Sequence, residues 1–185
     1  MQTEKREQVL RQLKESRDRV LALTQGLSKE QREFRPAAEC WSIADCVEHI
    51  TIVEGNVLRK MNLVIAQPPE PEKAAEAQGK EEIILSFVPS RESRVKGPEA
   101  VMPKGRWPEY AELMQHFEAA REQTIRFAAE TQADLHNHFF PHPLLGQFDC
   151  CHWLLFLGTH CERHARQMEE ILASPGFPKS VGATA

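Results

Sequence analysis

The chain has 185 residues, enough for one domain with a hydrophobic core. Its formal net charge is -4, and its 23 basic residues are interleaved with 27 acidic ones, which excludes nucleic acid as the main partner because phosphate binding needs a basic stripe. The longest apolar run, Trp153–Leu157, is far too short to cross a membrane, so we expect no membrane partner.

The first ten residues are charged and polar and lack the apolar core of a signal peptide. The chain has five cysteines, an odd number, and no CxxC pair. This pattern favours reduced thiols that pack as small apolar side chains over a disulfide framework. We therefore expect a cytoplasmic protein.

Four segments have the apolar spacing of one-sided α-helices, and no segment has a strong strand pattern. The first helix is predicted over about Glu4–Gln25, where the following Gly26 stops it. The second is predicted to open at Ser42, which forms a capping pattern with Asp45, and to end at Pro68.

The next segment, residues 67–107, is rich in proline and charge, with one apolar island at Ile83–Val88 that predicts a short helix. A connection of this length tends to be functional or disordered. In a four-helix bundle it also allows the chain to cross along the length of the bundle. We expect residues 80–107 to wall the functional site, with Phe87 and Trp107 as anchors.

The third helix is predicted to begin near Pro108, a good first-turn residue, and to fade after Ala133. Residues 136–148 are predicted to be a loop. The fourth helix should begin after Asp149, which has the position of an N-cap, and end before residues 174–176. Four helices of roughly 20 residues make a bundle of ordinary size.

The fourth predicted helix contains the pattern His160-x-x-x-His164-x-x-Gln167. Residues four apart lie on one helix face, and this face also carries large apolar side chains, so it should point inward. Two imidazoles on such a face need partners for their nitrogens, and a divalent metal ion is one that histidine often binds. The same spacing also occurs by chance on solvated faces.

His49 is the candidate for a third ligand, in the second turn of the second helix at the margin of its buried stripe. It can reach His160 and His164 if the second and fourth helices are neighbours. Three histidine ligands leave one coordination position open, as in catalytic metal sites. A satisfied core or surface histidine is the alternative interpretation.

Two segments resemble motifs of the DinB-like superfamily of metalloproteins. Trp41–His49 resembles W-S-x-x-(D/E)-x-x-x-H, and His160–Gln167 resembles H-x-x-x-H-x-x-Q. The loop His142–Gly146 and the crossover between Pro98 and Arg106 are also similar to the family pattern, so the resemblance spans about residues 5–175.

The resemblance implies an all-α protein: a four-helix bundle in up-down-down-up order, with a long crossover between helices 2 and 3. The bundle should occupy residues 1–175, followed by a loose tail at 176–185. The resemblance also implies a homodimer and a divalent metal ion, most often nickel or zinc, with His49, His160 and His164 as its ligands.

Known members of the superfamily include transferases and isomerases that use low-molecular-weight thiols, and others are described as metal-dependent hydrolases. The resemblance implies a metal-dependent transferase or hydrolase that takes a small-molecule substrate, such as a low-molecular-weight thiol, at the open position. The alternative is a non-catalytic metal- or small-ligand-binding module in stress response. It is favoured by the lack of a convincing acid–base residue beside the ligands, and no catalytic residue is assigned.

Three polar residues near the predicted ligands have competing interpretations. Glu48 is the nearest candidate for a general base, but its helical direction differs from that of His49 by about 100°. Asp45 could orient His49, although helix capping explains it sufficiently. Gln167 could bond a ligand or bound water, or could be structural. The other histidines are assigned to loops and helix surfaces: His116, His136, His138, His142 and His152.

Overall fold

The structure is a computed structural model that describes residues 1–92 and 97–179. The α-helices of this part are α1 (Thr3–Thr24), α2 (Lys29–Glu33), α3 (Ile43–Ile65), α4 (Lys80–Ser86), α5 (Tyr110–Glu130) and α6 (Cys150–Leu172). Strands β1 (Phe139–His142) and β2 (Gly146–Asp149) form an antiparallel pair. Within the described ranges, no helix combines the length and apolarity needed to cross a bilayer. Most of the predicted loose tail, residues 180–185, lies outside the described residues.

The four long helices α1, α3, α5 and α6 form a bundle, which confirms the predicted all-α four-helix bundle. Helix α6 packs on α1 and α3, and α5 packs on the same two helices from the other side. The interior contains two apolar clusters, one toward each end of the bundle. The first includes Val9, Leu13, Val57, Met61, Phe148 and Leu154, and the second includes Val20, Ile43, Val47, Phe117 and Met168.

Local capping sets the starts of the two helices that carry the histidines. The Ser42 hydroxyl accepts from the Asp45 backbone N–H, and the Asp45 carboxylate accepts in return from the Ser42 N–H at 2.7 Å. The Asp149 carboxylate accepts from the His152 N–H at 2.6 Å. Both predicted caps are confirmed. Pro108 precedes α5 instead of opening it, because Glu109 is the N-cap of that helix.

The predicted loop before α6 is instead a short hairpin. Phe139 pairs with Asp149 and Phe140 with Phe148, and the turn contains Gly146 at a φ of +76°. Each strand has four residues, and Pro141 interrupts the first, so the sequence pattern was too short to predict a strand. The indole N–H of Trp153 donates to the Phe140 carbonyl at 3.1 Å, which ties the hairpin to the first turn of α6.

The apolar island in the crossover forms a short helix as predicted. Helix α4 packs on α6 through Ile84, which is fully buried, and Val88 is buried just beyond the helix. Phe87 is 46% exposed, and it lines the cavity beside the histidines, as predicted for this segment. Trp107 packs on the second apolar cluster, which includes Val20 and Phe117, and its ring centre lies 4.9 Å from that of His116. Residues 93–96 of the predicted wall lie outside the described residues.

A buried ion pair, which was not predicted from the sequence, crosses the middle of the bundle. Arg121 of α5 is fully buried, and its Nε and Nη2 atoms lie 3.0 and 2.9 Å from the Glu54 carboxylate of α3. Its Nη1 donates to the Leu13 carbonyl and the Ser16 hydroxyl of α1, both at 3.1 Å. Its Nη2 reaches the Leu157 carbonyl of α6 at 3.5 Å. One side chain therefore contacts all three other long helices.

Replacing Arg121 by methionine should destabilise the fold by about 3–5 kcal/mol, because it leaves the Glu54 carboxylate buried without its partner. The double variant Arg121→Met, Glu54→Leu should recover most of this loss, since two apolar side chains leave no uncompensated charge. Urea unfolding gives both values. Arg126→Met, an exposed change on the same helix, should stay within about 0.5 kcal/mol of the parent. A single variant as stable as the parent would contradict the central role of Arg121.

Candidate metal centre

Three imidazole rings from two helices converge on one point inside the bundle. His49 comes from α3, and His160 and His164 come from successive turns of α6. The Nε2 atom of His160 lies 3.2 Å from the Nε2 atom of His49 and 3.2 Å from that of His164. One nitrogen of each ring lies within 4.8 Å of the others. The structure thus brings together the three residues predicted as ligands.

Hydrogen bonds on the far side of two rings fix their orientation and tautomer. The His49 Nδ1–H donates to the Val101 carbonyl at 2.7 Å, and the His164 Nδ1–H donates to the Gln167 side-chain oxygen at 3.0 Å. Each neutral ring then presents an Nε2 lone pair to the Nε2 atom of His160. A single proton there can fully satisfy only one of the two lone pairs, so an orphaned acceptor remains. A divalent cation fits this arrangement, since it would take all three nitrogens as ligands.

Burial keeps the three imidazoles neutral. It lowers the pKa of His49, and it lowers the pKa of His160 and His164 well below the ordinary value. Charge repulsion from the neighbouring histidines lowers the pKa values of His160 and His164 further. The Trp41 indole lies against His49 at 4.8 Å and against His164 at 5.7 Å between ring centres. The rings are therefore in the unprotonated form that binds metal.

Glu48 holds the crossover in place. Its carboxylate accepts from the backbone N–H groups of Lys104 at 2.9 Å, Gly105 at 2.9 Å and Arg106 at 3.0 Å. Gly105 has a φ of +70°, which allows the chain to turn around the carboxylate. These bonds fix the segment that presents the Val101 carbonyl to His49. They also remove Glu48 from the candidates for a general base.

A cavity of about 880 Å³ opens onto the three histidines. The crossover forms part of its wall, as predicted, although Trp107 is not among its lining residues. Its apolar walls come from both histidine-bearing helices, the crossover and the hairpin, and include Val53, Val88, Val101, Leu145, Trp153 and Phe156. Arg91 and Glu170 also border the cavity, where they form an ion pair at 2.8 Å. Such a space suits a small ligand with an apolar body.

Four of the five remaining histidines lie outside the cavity: His116, His136, His138 and His152. Hydrogen bonds from His136 and His152 lower the pKa of Asp149 to about 2 although its burial acts in the opposite direction. His138 bonds two backbone carbonyls, and His116 is half exposed on α5. The exception is His142, predicted as a structural loop residue, which borders the cavity.

Two features that were not predicted, the place of His142 at the cavity and the Glu54–Arg121 pair, have signals in the sequence. His142 lies in the short aromatic segment directly before the helix that carries the histidine pair. Glu54 and Arg121 lie at helical spacing within the buried stripes of α3 and α5, where unpaired charges would be costly. Opposite charges on two inward faces could have predicted their pairing.

Three comparisons with known proteins bear on this site. The model of the DinB superfamily matches residues 12–168. The chain is 28% identical over 148 residues to the uncharacterized protein YuaE of Bacillus subtilis (strain 168), a match that covers 79% of this chain and 86% of YuaE. Its fold is similar to that of YfiT from Bacillus subtilis, with a TM-score of 0.66 at 10% identity, over 93% of this chain and 88% of YfiT.

The metal-free protein should lose stability as the pH falls below 6.5. The pKa values of His49, His160 and His164 are lower in the folded chain than the unfolded value of 6.5, so the unfolded chain binds more protons in this range. The free energy of unfolding should fall by about 1.4 kcal/mol for each unit of pKa difference per histidine. Urea unfolding at several pH values between about 5 and 7.5 measures this slope.

Two variants control this measurement. His116→Ala, on the exposed face of α5, controls for the loss of a histidine outside the site. His136→Ala should make the loss steeper, because its hydrogen bond to Asp149 raises the pKa of His136 and so favours the folded state on acidification. Stability that is constant over the range would mean that the three rings are not buried as neutral groups.

Proposed function

The chain belongs to the DinB superfamily, and on that premise we propose that it is a metal-dependent enzyme whose divalent ion is held by His49, His160 and His164. One observation carries the proposal: three neutral imidazoles converge beside a large apolar cavity, with at least one Nε2 lone pair that no donor among the described residues satisfies. Three protein ligands would leave a coordination position open toward a substrate.

The residues of the chain would hold the ion, orient its ligands and exclude water. Val101 and Gln167 fix the rings of His49 and His164 from behind. Trp41 covers the two rings, and the apolar walls would hold the body of a substrate. An ion bound in such a site supplies two kinds of chemistry: it lowers the pKa of a water or thiol, and it polarises an acyl oxygen.

Hydrolysis of a small-molecule substrate is our first proposal for the reaction. YfiT, whose fold this chain shares, is described as a probable metal-dependent hydrolase with an unusual four-helix bundle topology. The three histidines would hold the ion and leave one coordination position open, and the apolar walls of the cavity would exclude bulk water.

Thiol transfer is the second proposal, and a separate observation favours it. The carboxylates near the site are engaged or exposed: Glu48 is held by three backbone N–H groups, Glu170 pairs with Arg91, and Glu39 is exposed. A low-molecular-weight thiol bound at a metal ion loses its proton without a separate general base. A metal- or ligand-binding module without turnover is the remaining alternative, and it would use the same geometry.

We also propose the up-down-down-up helix order, which contacts along the bundle support. Arg6, near the start of α1, donates to the Ala128 carbonyl near the end of α5, so these helices would be antiparallel. The Met1 sulfur lies 3.5 Å from the Cys151 sulfur at the start of α6, so α1 and α6 would be parallel. His49 on α3 lies level with His160 on α6, and the later residue Glu54 on α3 lies level with the earlier residue Leu157 on α6 through Arg121, so α3 and α6 would be antiparallel.

The metal identity, oligomeric state and compartment are further proposals. We propose nickel or zinc, because three neutral imidazoles suit either ion. We propose a homodimer, with Leu63 of α3, which is 56% exposed, as an apolar residue available for contact. We propose a cytoplasmic location, since all five cysteines are free thiols, as a reducing compartment favours.

Replacing His49 by alanine should weaken zinc and nickel binding by more than about 100-fold, because it removes a ligand and leaves only the pair on α6. Gln167→Ala should cost less, about 10- to 100-fold, since it only releases the far side of the His164 ring. Competition with a chelator of known affinity measures both. His116→Ala is the matched control and should bind metal as the parent does.

The helical circular dichroism of His49→Ala and of chelated parent protein should persist at room temperature. Most of the stability of a bundle comes from its apolar stripes, in contrast to small zinc modules that fold only on binding metal. Loss of the helical signal on chelation would show that the ion is structural. Full metal occupancy in His49→Ala would show that His49 is not a ligand.

Turnover separates the three functional candidates. Nickel- or zinc-loaded protein should hydrolyse members of an ester and amide panel, lose this activity on chelation and regain it when the metal is returned. Turnover of thiol-plus-electrophile pairs with an inactive ester and amide panel would replace hydrolysis by thiol transfer. Full metal loading without turnover in either panel would favour the binding module.

A further inference from the structure

A fourth histidine faces the cavity from the hairpin. His142 is the last residue of β1, is half-buried, and lines the same space as His49, His160 and His164. It does not belong to the group whose nitrogens converge. His142 therefore lies on the cavity wall but outside the predicted set of metal ligands.

The hairpin turn fixes the tautomer of His142. Its Nδ1 atom accepts from the backbone N–H groups of both Leu144 and Leu145, each at 3.2 Å. An atom that accepts two N–H donors carries no hydrogen, so the proton of the neutral ring lies on Nε2. That Nε2–H has no hydrogen-bond partner among the described residues. The backbone therefore turns this ring into a hydrogen-bond donor on the wall of the cavity.

Aromatic packing holds the ring in place. Its centre lies 5.3 Å from Phe148, 5.5 Å from Trp153 and 4.8 Å from Phe156. Phe156 in turn stacks on His160, at 5.0 Å and an interplanar angle of 27°. Only one ring therefore separates His142 from the proposed metal ligand. Burial also lowers the pKa of His142 to about 4, so the ring is a neutral donor at physiological pH.

We propose that His142 is a substrate-binding residue of this site, whose Nε2–H donates a hydrogen bond to an oxygen of an acyl or carboxylate ligand that lies between it and the metal ion. This inference rests on the proposed function. The apolar walls accommodate the body of such a ligand. The three arginines that border the cavity in the described part of the chain are already engaged: Arg35 with Asp45, Arg91 with Glu170 and Arg163 with the Val88 carbonyl. A neutral donor on an apolar wall selects for an acceptor oxygen, because a ligand that covers this N–H without accepting from it removes its hydrogen bond to water.

The tautomer is tested on the metal-free parent protein, and it needs no ligand. Nitrogen NMR of labelled protein distinguishes a ring protonated at Nε2 from one protonated at Nδ1. We expect the Nε2–H form for His142, and we expect it to persist down to about pH 5. A ring protonated at Nδ1, or at both nitrogens near neutral pH, would overturn the inference.

The hydrogen bond is tested with two probes on zinc-loaded protein. Benzoate and benzenethiolate are both anions with a phenyl body that bind zinc, and only benzoate has a second oxygen to accept from His142. In His142→Phe, which keeps an aromatic ring in the cluster, the dissociation constant of benzoate should rise by about tenfold or more, since a charge-assisted hydrogen bond is lost. That of benzenethiolate should change by less than about twofold.

The variant His142→Gln provides the rescue, because its amide N–H lies near the position of Nε2 and should restore part of the benzoate affinity. Zinc content and thermal unfolding of each variant show that site and fold are intact. If the affinity for benzoate is unchanged in His142→Phe, or if the affinities for both probes fall equally, the inference about His142 is overturned and the proposed function stands. A chain that takes up no zinc would overturn the proposed function and this inference with it.

Discussion

The buried guanidinium of Arg121 is the contact on which the arrangement of the bundle depends. A fully buried charge is tolerated only where it is paired and hydrogen-bonded, and this one meets that requirement through groups from every other long helix. Glu54 lies five residues after His49 on α3, and Leu157 lies three residues before His160 on α6. The same contacts that satisfy the charge therefore set α3 against α6 about one turn from the histidines. A shift of either helix that moved an imidazole would also break these hydrogen bonds, so the buried charge resists such a shift.

The positions of the three histidines depend on the residues around them as much as on the histidines themselves. His160 and His164 are held relative to each other by one rigid helix. His49 depends on a longer chain of contacts, in which Glu48 grips the crossover and the crossover presents the Val101 carbonyl to the ring. The result is a set of nitrogens that the fold holds together in the unprotonated form. Such preorganisation would raise the affinity for a divalent ion and would leave a coordination position toward the cavity.

The likeness to YfiT, at 10% identity, shows how little of the sequence this fold requires. A bundle is specified by apolar stripes, which many combinations of side chains satisfy, whereas a site requires particular atoms at particular places. The hairpin illustrates the second requirement. It anchors to the first turn of α6 through Trp153 and at the same time fixes the tautomer of His142 on the cavity wall. A segment that reads as a loop thus contributes to both the fold and the site.

The sequence by itself determined the four long helices, the caps at Ser42 and Asp149, and the placement of His160 and His164 on one inward face. These depend on interactions within a few residues, namely apolar periodicity, capping and helical spacing, which can be read along the chain. Only the tertiary structure decided that His49 reaches the pair, that Glu48 grips the crossover instead of serving as a base, and that Glu54 meets Arg121. These three contacts join residues that are between 56 and 111 positions apart, on elements whose relative placement no local pattern predicts. Long-range contacts follow from how whole helix faces pack, and that packing is settled only when all four faces close around one core.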